Sequence, residues 1–332
     1  MILRPKLNDV AREAGVSPTT VSRVINNHGY LSEDTKNKVF QAMKKLNYQP
    51  NSIARSLHGK QTNLIGVLFS SVSNPFFGEL VEKIENKLFK SGYKTILCNS
   101  ADNKEKERVY LNMLIANQVD GIIAGAHNLG IKEYEKVGLP IISFDRYLSS
   151  TIPIVSSDNY QGGVLATQEL YQSGARKIYL FASSHTPNSP TDKRRTGYLE
   201  TMEKLQLEAH EKVIASTMAS SVKALMIKQI LSTEQIEGIF CTDDLTALIV
   251  LQQAKELGIR VPQDLKVIGY DGTQFIQNYH PELTTIAQPI NDMAELLVEL
   301  LLKRVTDEQS ELKEHYVLPI KLIRNQSSSQ FI

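Results

Sequence analysis

The chain has 332 residues, 42 % of them hydrophobic and 22 % charged, which at roughly 150 residues per domain gives room for two to three units with full cores. The net charge of +1 hides a division, because residues 1–60 carry 10 Lys/Arg against 4 Asp/Glu and the remainder carries 27 against 32. A basic head on a mildly acidic body points to a nucleic acid or anionic surface met by the N-terminus alone, and excludes a uniformly basic coat.

Nothing marks export or a membrane. No apolar run approaches the roughly 18–20 residues of a membrane span, and "MILRPKLNDV" lacks a signal-peptide core. Cys98 and Cys241 lie far apart in or at the end of apolar runs, without metal-ligand spacing, and read as buried free thiols in a reducing cytosol. The expectation is a soluble cytoplasmic protein that needs no metal and no cofactor.

In chain order, three short helices are predicted over 7–14, 18–25 and 32–46. Leu7, Val10, Ala11 and Ala14 make one apolar face, and Val21, Val24 and Ile25 another. Between them Gly15 relaxes a tight turn, Ser17 is a natural N-cap, and Pro18 takes the first helical position, where its missing N–H costs nothing. This pattern predicts a helix-turn-helix. With the valines inward, the second helix presents Pro18, Thr19, Ser22, Arg23 and Asn26. Short polar side chains let a helix enter the major groove closely, and an arginine can take guanine O6 and N7 together.

After a connection, "YQPNSIARSLHGKQTN", the rhythm changes. Apolar runs bounded by turn residues alternate with amphipathic segments, as in "NLIGVLFS", "ELVEKIENKLFKSGY", "KTILCNS" and "EKERVYLNMLIANQ". A second round runs from "VLATQELYQSG" through "KIYLFAS", "IEGIFCTD" and "LKVIGYD". This is the βα alternation of parallel sheets covered by helices, and two rounds predict two similar lobes, an α/β fold behind an all-α head.

Open parallel sheets bind ligands beyond the carboxyl ends of their strands. Here those ends carry Asn74, Phe76 and Phe77, then Asp145 and Arg146, Asp243, Tyr270 and Asp271, and Gln288. "KRRTG" adds Arg194, and Ser157 lies where the chain crosses between lobes. Aromatic faces cover the C–H face of a sugar, while carboxylates, amides and guanidinium groups bridge hydroxyls. Phe76 and Phe77 can equally begin a helix as core residues, and Asp243 can serve only as a helix cap. Asp145, Asp243 and Asp271 against Arg146 and Arg194 leave the set at about −1, which favours a neutral sugar over a sugar phosphate.

"VAREAGVSPTTVSRVIN", the third helix ending in "LNYQPN", and "ARSLHGK" resemble the DNA-binding head of the lactose/galactose repressor family, and the resemblance continues through the body to about residue 325. It implies a helix-turn-helix head over 1–49 and a hinge helix and linker over 50–61. It further implies an N-terminal lobe from 62–160 with 289–317, and a C-terminal lobe from 161–288 with 318–329. Pro18, Thr19 and Arg23 would read bases, with Ser17, Thr20, Ser22, Asn26, Tyr30 and Ser32 near phosphates. Asn51 would cap a hinge helix, "SIARSLH", too short to be stable alone. Its Leu57 would wedge into the minor groove beside Ala54 and Arg55.

The pocket set resembles that of the periplasmic ribose-binding proteins, apart from Asp243, where those have Asn. "KTILCNSADN", "VDGIIAGAHNLGI" and "IPIVSSDNYQGGVLA" resemble the sucrose-operon repressors of Gram-positive bacteria. The implied function is a homodimeric repressor on a near-palindromic operator, released by fructose or sucrose. No leucine-rich heptads follow "LIRNQSSSQFI", so a dimer rather than a tetramer is expected. One rival is a regulator of this fold driven by a phosphocarrier protein or a sugar phosphate. Another is a sugar-cleaving enzyme using the three aspartates, but no nucleophile elbow, phosphate loop, dinucleotide fingerprint or metal cluster accompanies them.

Overall fold

The computed structural model describes residues 5–26, 28–49, 61–126, 128, 130–183 and 189–329. It divides into two units, Met1–Thr62 and Asn63–Ile332.

In the first unit α1 (Leu7–Ala14), α2 (Pro18–Ile25) and α3 (Glu33–Lys45) enclose a small core of Val10, Ala11, Val21, Val24, Val39 and Ala42. Gly15 stops α1 at φ +66, a left-handed cap that an L side chain would strain. Ser17 Oγ accepts the Thr20 N–H at 3.1 Å, and Pro18 opens α2. Ile25, expected inward, is only partly buried. The predicted third helix loses one residue at each end, because Ser32 and Leu46 serve as its caps.

The second unit contains two six-stranded sheets. In the N-terminal lobe β1 (Leu64–Phe69), β2 (Lys94–Asn99), β3 (Gly121–Gly125), β4 (Ile141–Phe144), β5 (Ile154–Ser157) and β11 (His315–Leu318) run parallel in the order β11-β5-β4-β3-β1-β2. Both faces are covered, so Ile65, Val67, Leu68 and Phe69 of β1 are all buried rather than alternating. α4 (Pro75–Lys90) and α11 (Ile290–Thr306) pack on one face, and α5 (Lys104–Ala116) on the other.

The C-terminal lobe orders its strands β12-β10-β9-β8-β6-β7. These are β6 (Ile178–Ala182), β7 (His210–Val213), β8 (Gly238–Cys241), β9 (Lys266–Asp271), β10 (Thr284–Ala287) and β12 (Lys321–Ile323), of which β12 alone is antiparallel. α8 (Ser220–Thr233) and α9 (Asp244–Glu256) cover one face, and α6 (Asn159–Gln172) and α7 (Lys193–Lys204) the other. A short α10 (Gln274–Tyr279) follows β9. The chain crosses between lobes after β5, after β10 and after β11.

α6 and α7 touch backbone to backbone. A Cβ on Gly163 would lie 2.1 Å from the Arg194 carbonyl oxygen, and one on Gly197 would lie 2.2 Å from that of Tyr160. Glycine at both positions therefore brings the starts of α6 and α7 together. Both cysteines are buried and free, and burial pushes the Cys98 thiol up to about 11. Among the described residues no helix is long and apolar enough to cross a membrane.

Candidate functional site

The head presents α2 as an outward ridge. Ser17, Pro18, Thr19 and Arg23 are exposed, and Thr20, Ser22 and Asn26 are partly buried. Val21 and Val24 anchor the helix from beneath, so its outer face is fixed by the same packing that forms the core. Two of the polar groups are already oriented. Arg23 Nε donates to the His28 carbonyl at 3.3 Å, and Asn26 Nδ2 to the Ser22 carbonyl at 2.8 Å. Gly29, at φ +73, lets the guanidinium pass close; a Cβ there would sit 2.5 Å from Arg23 Nη2. Tyr30 is 94 % exposed, and Ser32 caps α3 by accepting from Thr35 N at 3.3 Å. Asn51, Ala54, Arg55 and Leu57 lie outside the described residues.

In the body, the strand ends and crossings converge on one hydrogen-bonded cluster between the lobes. Asp145 closes β4 and Ser157 closes β5, while Asn159 and Arg194 open α6 and α7. Arg194 Nε donates to Asn159 Oδ1 at 2.7 Å, and its Nη1 to the Thr242 carbonyl at 2.7 Å. Asn159 Nδ2 donates across the lobes to Asp145 Oδ1 at 3.0 Å, and Arg194 Nη2 stands 3.9 Å from Asp145 Oδ2. Tyr270 lies beneath the guanidinium and donates to Asn159 Oδ1 at 3.3 Å. Ser157 Oγ donates to Gln288 Oε1 at 2.9 Å, and Gln288 Nε2 donates in turn to Asp271 Oδ1 at 2.7 Å.

Two of these residues combine a buried, raised carboxyl with a left-handed backbone. Burial pushes the Asp145 carboxyl up to about 6, with Arg194 and the Asn159 hydrogen bond pulling the other way. Burial likewise pushes Asp271 up to about 7, against the pull of Arg194 and with the repulsion of Asp243. Asp145 and Asp271 sit at φ +50 and +126. Non-glycine residues there cost on the order of 1–3 kcal/mol and cluster at ligand sites.

The other predicted contacts have no hydrogen bond to this cluster among the described residues, although Asp243 stands close enough to repel Asp271. Asn74 caps α4, accepting from Phe76 N at 2.9 Å and Phe77 N at 3.5 Å. Phe76 is buried against Phe144 with ring centroids 5.8 Å apart, and Phe77 is partly buried edge-on to Phe76. Asp243 caps α9, accepting both the amide and the hydroxyl of Thr246 at 2.8 Å. Arg146 does not join the cluster. It is 4 % exposed and paired with Glu107 at 2.7 Å, because the backbone turn at Asp145 sends successive side chains to different places.

Among the buried polar residues that sequence reasoning does not single out are Asn159, Asp244 and Glu107. Asn159 had a signal, since it begins a helix at a lobe crossing beside Ser157. Asp244 accepts from Gly272 N and Thr285 Oγ1, both at 2.7 Å, contacts made only when three distant strand ends meet. Glu107 looks like any acidic residue of a charged helix start. Among the described residues no group of side chains is arranged to hold a metal ion.

Two family models match the chain: the lacI family of bacterial regulatory proteins over residues 6–51, and the periplasmic binding protein-like domain over 167–328. The sucrose operon repressor of Pediococcus pentosaceus is 60 % identical over 97 % of this chain and 99 % of its own length. A periplasmic binding protein/LacI transcriptional regulator from Alkaliphilus metalliredigens, solved with D-xylulofuranose, is 33 % identical at a TM-score of 0.73, covering 80 % of this chain and 99 % of that one. A lac repressor dimer bound to operator and an anti-inducer is 27 % identical at a TM-score of 0.82, covering 98 % and 100 %.

Proposed function

Because the chain belongs to the lacI family of bacterial regulatory proteins, a family of DNA-binding regulators rather than enzymes, we propose that it represses a sucrose-utilisation operon and is released by a small neutral sugar, fructose or the fructosyl end of sucrose. The observation that carries this reading is the cluster of Asp145, Ser157, Asn159, Arg194, Tyr270, Asp271 and Gln288 at the junction of the lobes. It offers paired donors and acceptors and one aromatic face, the groups a polyol needs. Above about pH 7, where both carboxyls are ionised, two carboxylates against one guanidinium disfavour a phosphate ester. The Pediococcus relative supports sucrose as the regulated sugar, and the xylulofuranose complex supports a ketose in this fold.

On the DNA side, Pro18, Thr19 and Arg23 read bases, and Ser17, Thr20, Ser22, Asn26, Tyr30 and Ser32 hold phosphates. A homodimer on a near-palindromic operator is supported by the lac repressor dimer. Sugar binding regulates only through different affinities for two states of the repressor.

The test is a titration of purified protein on duplexes selected from a palindromic library, repeated with fructose, sucrose and their phosphates. Release by fructose or sucrose is the expected result. Release by a phosphate ester alone, or selection of no duplex, would sink the reading.

A further inference from the structure

The C-terminal ends of β3 and β4 carry a second buried assembly that the proposed effector site leaves unused. Glu107, in the first turn of α5, is fully buried and accepts three hydrogen bonds. They come from Arg146 Nη1 at 2.7 Å, the Tyr134 hydroxyl at 2.8 Å and Asn128 Nδ2 at 2.7 Å. Arg146 also donates to the Ala126 carbonyl at 2.5 Å and lies with its guanidinium carbon 5.5 Å from the Tyr134 ring centroid. Its Nε has no hydrogen-bond partner among the described residues.

Arg146 directly follows Asp145 at the end of β4, so this cation stands next in the chain to a residue of the cluster although its side chain turns away to Glu107. Inside a protein a charge is weakly screened and acts well beyond its contacts. Left alone, the guanidinium would attract an anion into the cleft and complement Arg194. Glu107 cancels it locally, and the field a ligand meets is then set by Asp145, Asp271 and the neighbouring Asp243 against Arg194.

We propose that Glu107 is a specificity-determining residue, which neutralises Arg146 and so makes the cleft select an uncharged sugar over its phosphate ester. The inference rests on the effector reading above and adds to it the reason for charge discrimination. Glu107 touches no ligand; it acts through Arg146. The pair is also costly to hold, since two ions taken from water regain their hydration only through good geometry and further hydrogen bonds. Tyr134, Asn128 and the Ala126 carbonyl supply those bonds.

The test compares ligand ratios in the full-length protein by calorimetry. Wild type is expected to bind fructose or sucrose and to bind fructose 6-phosphate measurably but much more weakly. Glu107→Gln keeps the shape and an acceptor oxygen but removes the charge, and the affinity for fructose 6-phosphate relative to fructose is expected to rise about tenfold or more. Glu107→Asp, which keeps the charge, is expected to retain the wild-type ratio. If Glu107→Gln does not fold, Arg146→Gln carries the test with the opposite sign. Glu107 is then left unpaired, and fructosamine is expected to gain about fivefold or more over fructose. A folded Glu107→Gln with an unchanged phosphate-to-sugar ratio, or an Arg146→Gln with an unchanged amine-to-sugar ratio, overturns the proposal. A wild type that binds no neutral sugar instead overturns the effector reading.

Discussion

Arg194 lies over Tyr270, its guanidinium carbon 3.6 Å from the ring centroid. The ring supports the guanidinium from beneath, and the bonds from Nε to Asn159 and from Nη1 to the Thr242 carbonyl fix its direction. One side chain thus ties the start of α7 to the ends of β8 and β9 and faces Asp145 across the lobes.

Arg194→Ala is expected to weaken effector binding by about ten- to a hundredfold, on the scale of hydrogen bonds to a charged group, while operator binding without sugar persists. Arg194→Lys is expected to rescue little, because an ammonium can neither stack as a plane nor donate along two fixed directions. Calorimetry with the sugar and anisotropy with the operator separate the two effects. Equal damage to both in a folded mutant would contradict the assignment.

At the other end of the chain, Arg23→Ala is expected to lose about 1–3 kcal/mol of discrimination at one base pair of each half-site. Sugar affinity should not change. The measurement is binding to the operator and to a variant altered at that base pair; unchanged discrimination would remove Arg23 from base reading.

The carboxyls of Asp145 and Asp271, raised by burial to about 6 and 7, hold protons more tightly in the folded state than in the unfolded one. Such groups favour folding at low pH and lose that contribution as pH rises through their folded-state values. Asp271→Asn should therefore raise the melting temperature relative to wild type more at about pH 8 than at about pH 5. A gap of equal size at both pH values would show that the carboxyl does not titrate in this window.

Gly163→Ala tests the close approach of α6 and α7. With the new methyl 2.1 Å from the Arg194 carbonyl oxygen, the helices must separate, at a cost of about 1–3 kcal/mol or more. Denaturant melts should show the loss. Effector affinity should fall with it, because Asn159 and Arg194 sit at the starts of the two helices. A mutant as stable as wild type would show that the contact is looser than it stands here.

Much of this was legible in the sequence, and where it was not the cause is physical. The helix-turn-helix depends on neighbours in the chain: Gly15 supplies a left-handed cap, Ser17 an N-cap, Pro18 a preset φ, and Val21 and Val24 one helical face. The βα alternation is similarly local, since a strand buried on both faces must be an apolar run. The strand-end positions of Asp145, Ser157, Tyr270, Asp271 and Gln288 followed from that alternation. What a side chain does at such a position did not follow. Asp145 and Arg146 are adjacent in sequence, yet Asp145 meets Asn159 of the other lobe while Arg146 meets Glu107, 39 positions earlier. Phe76 went to the core, and Asp243 to its own helix N-terminus. Periodicity and capping act over a few residues and can be read along the chain. The partner that compensates a buried charge is chosen by which strand ends the sheet brings together, and only the tertiary structure decides that.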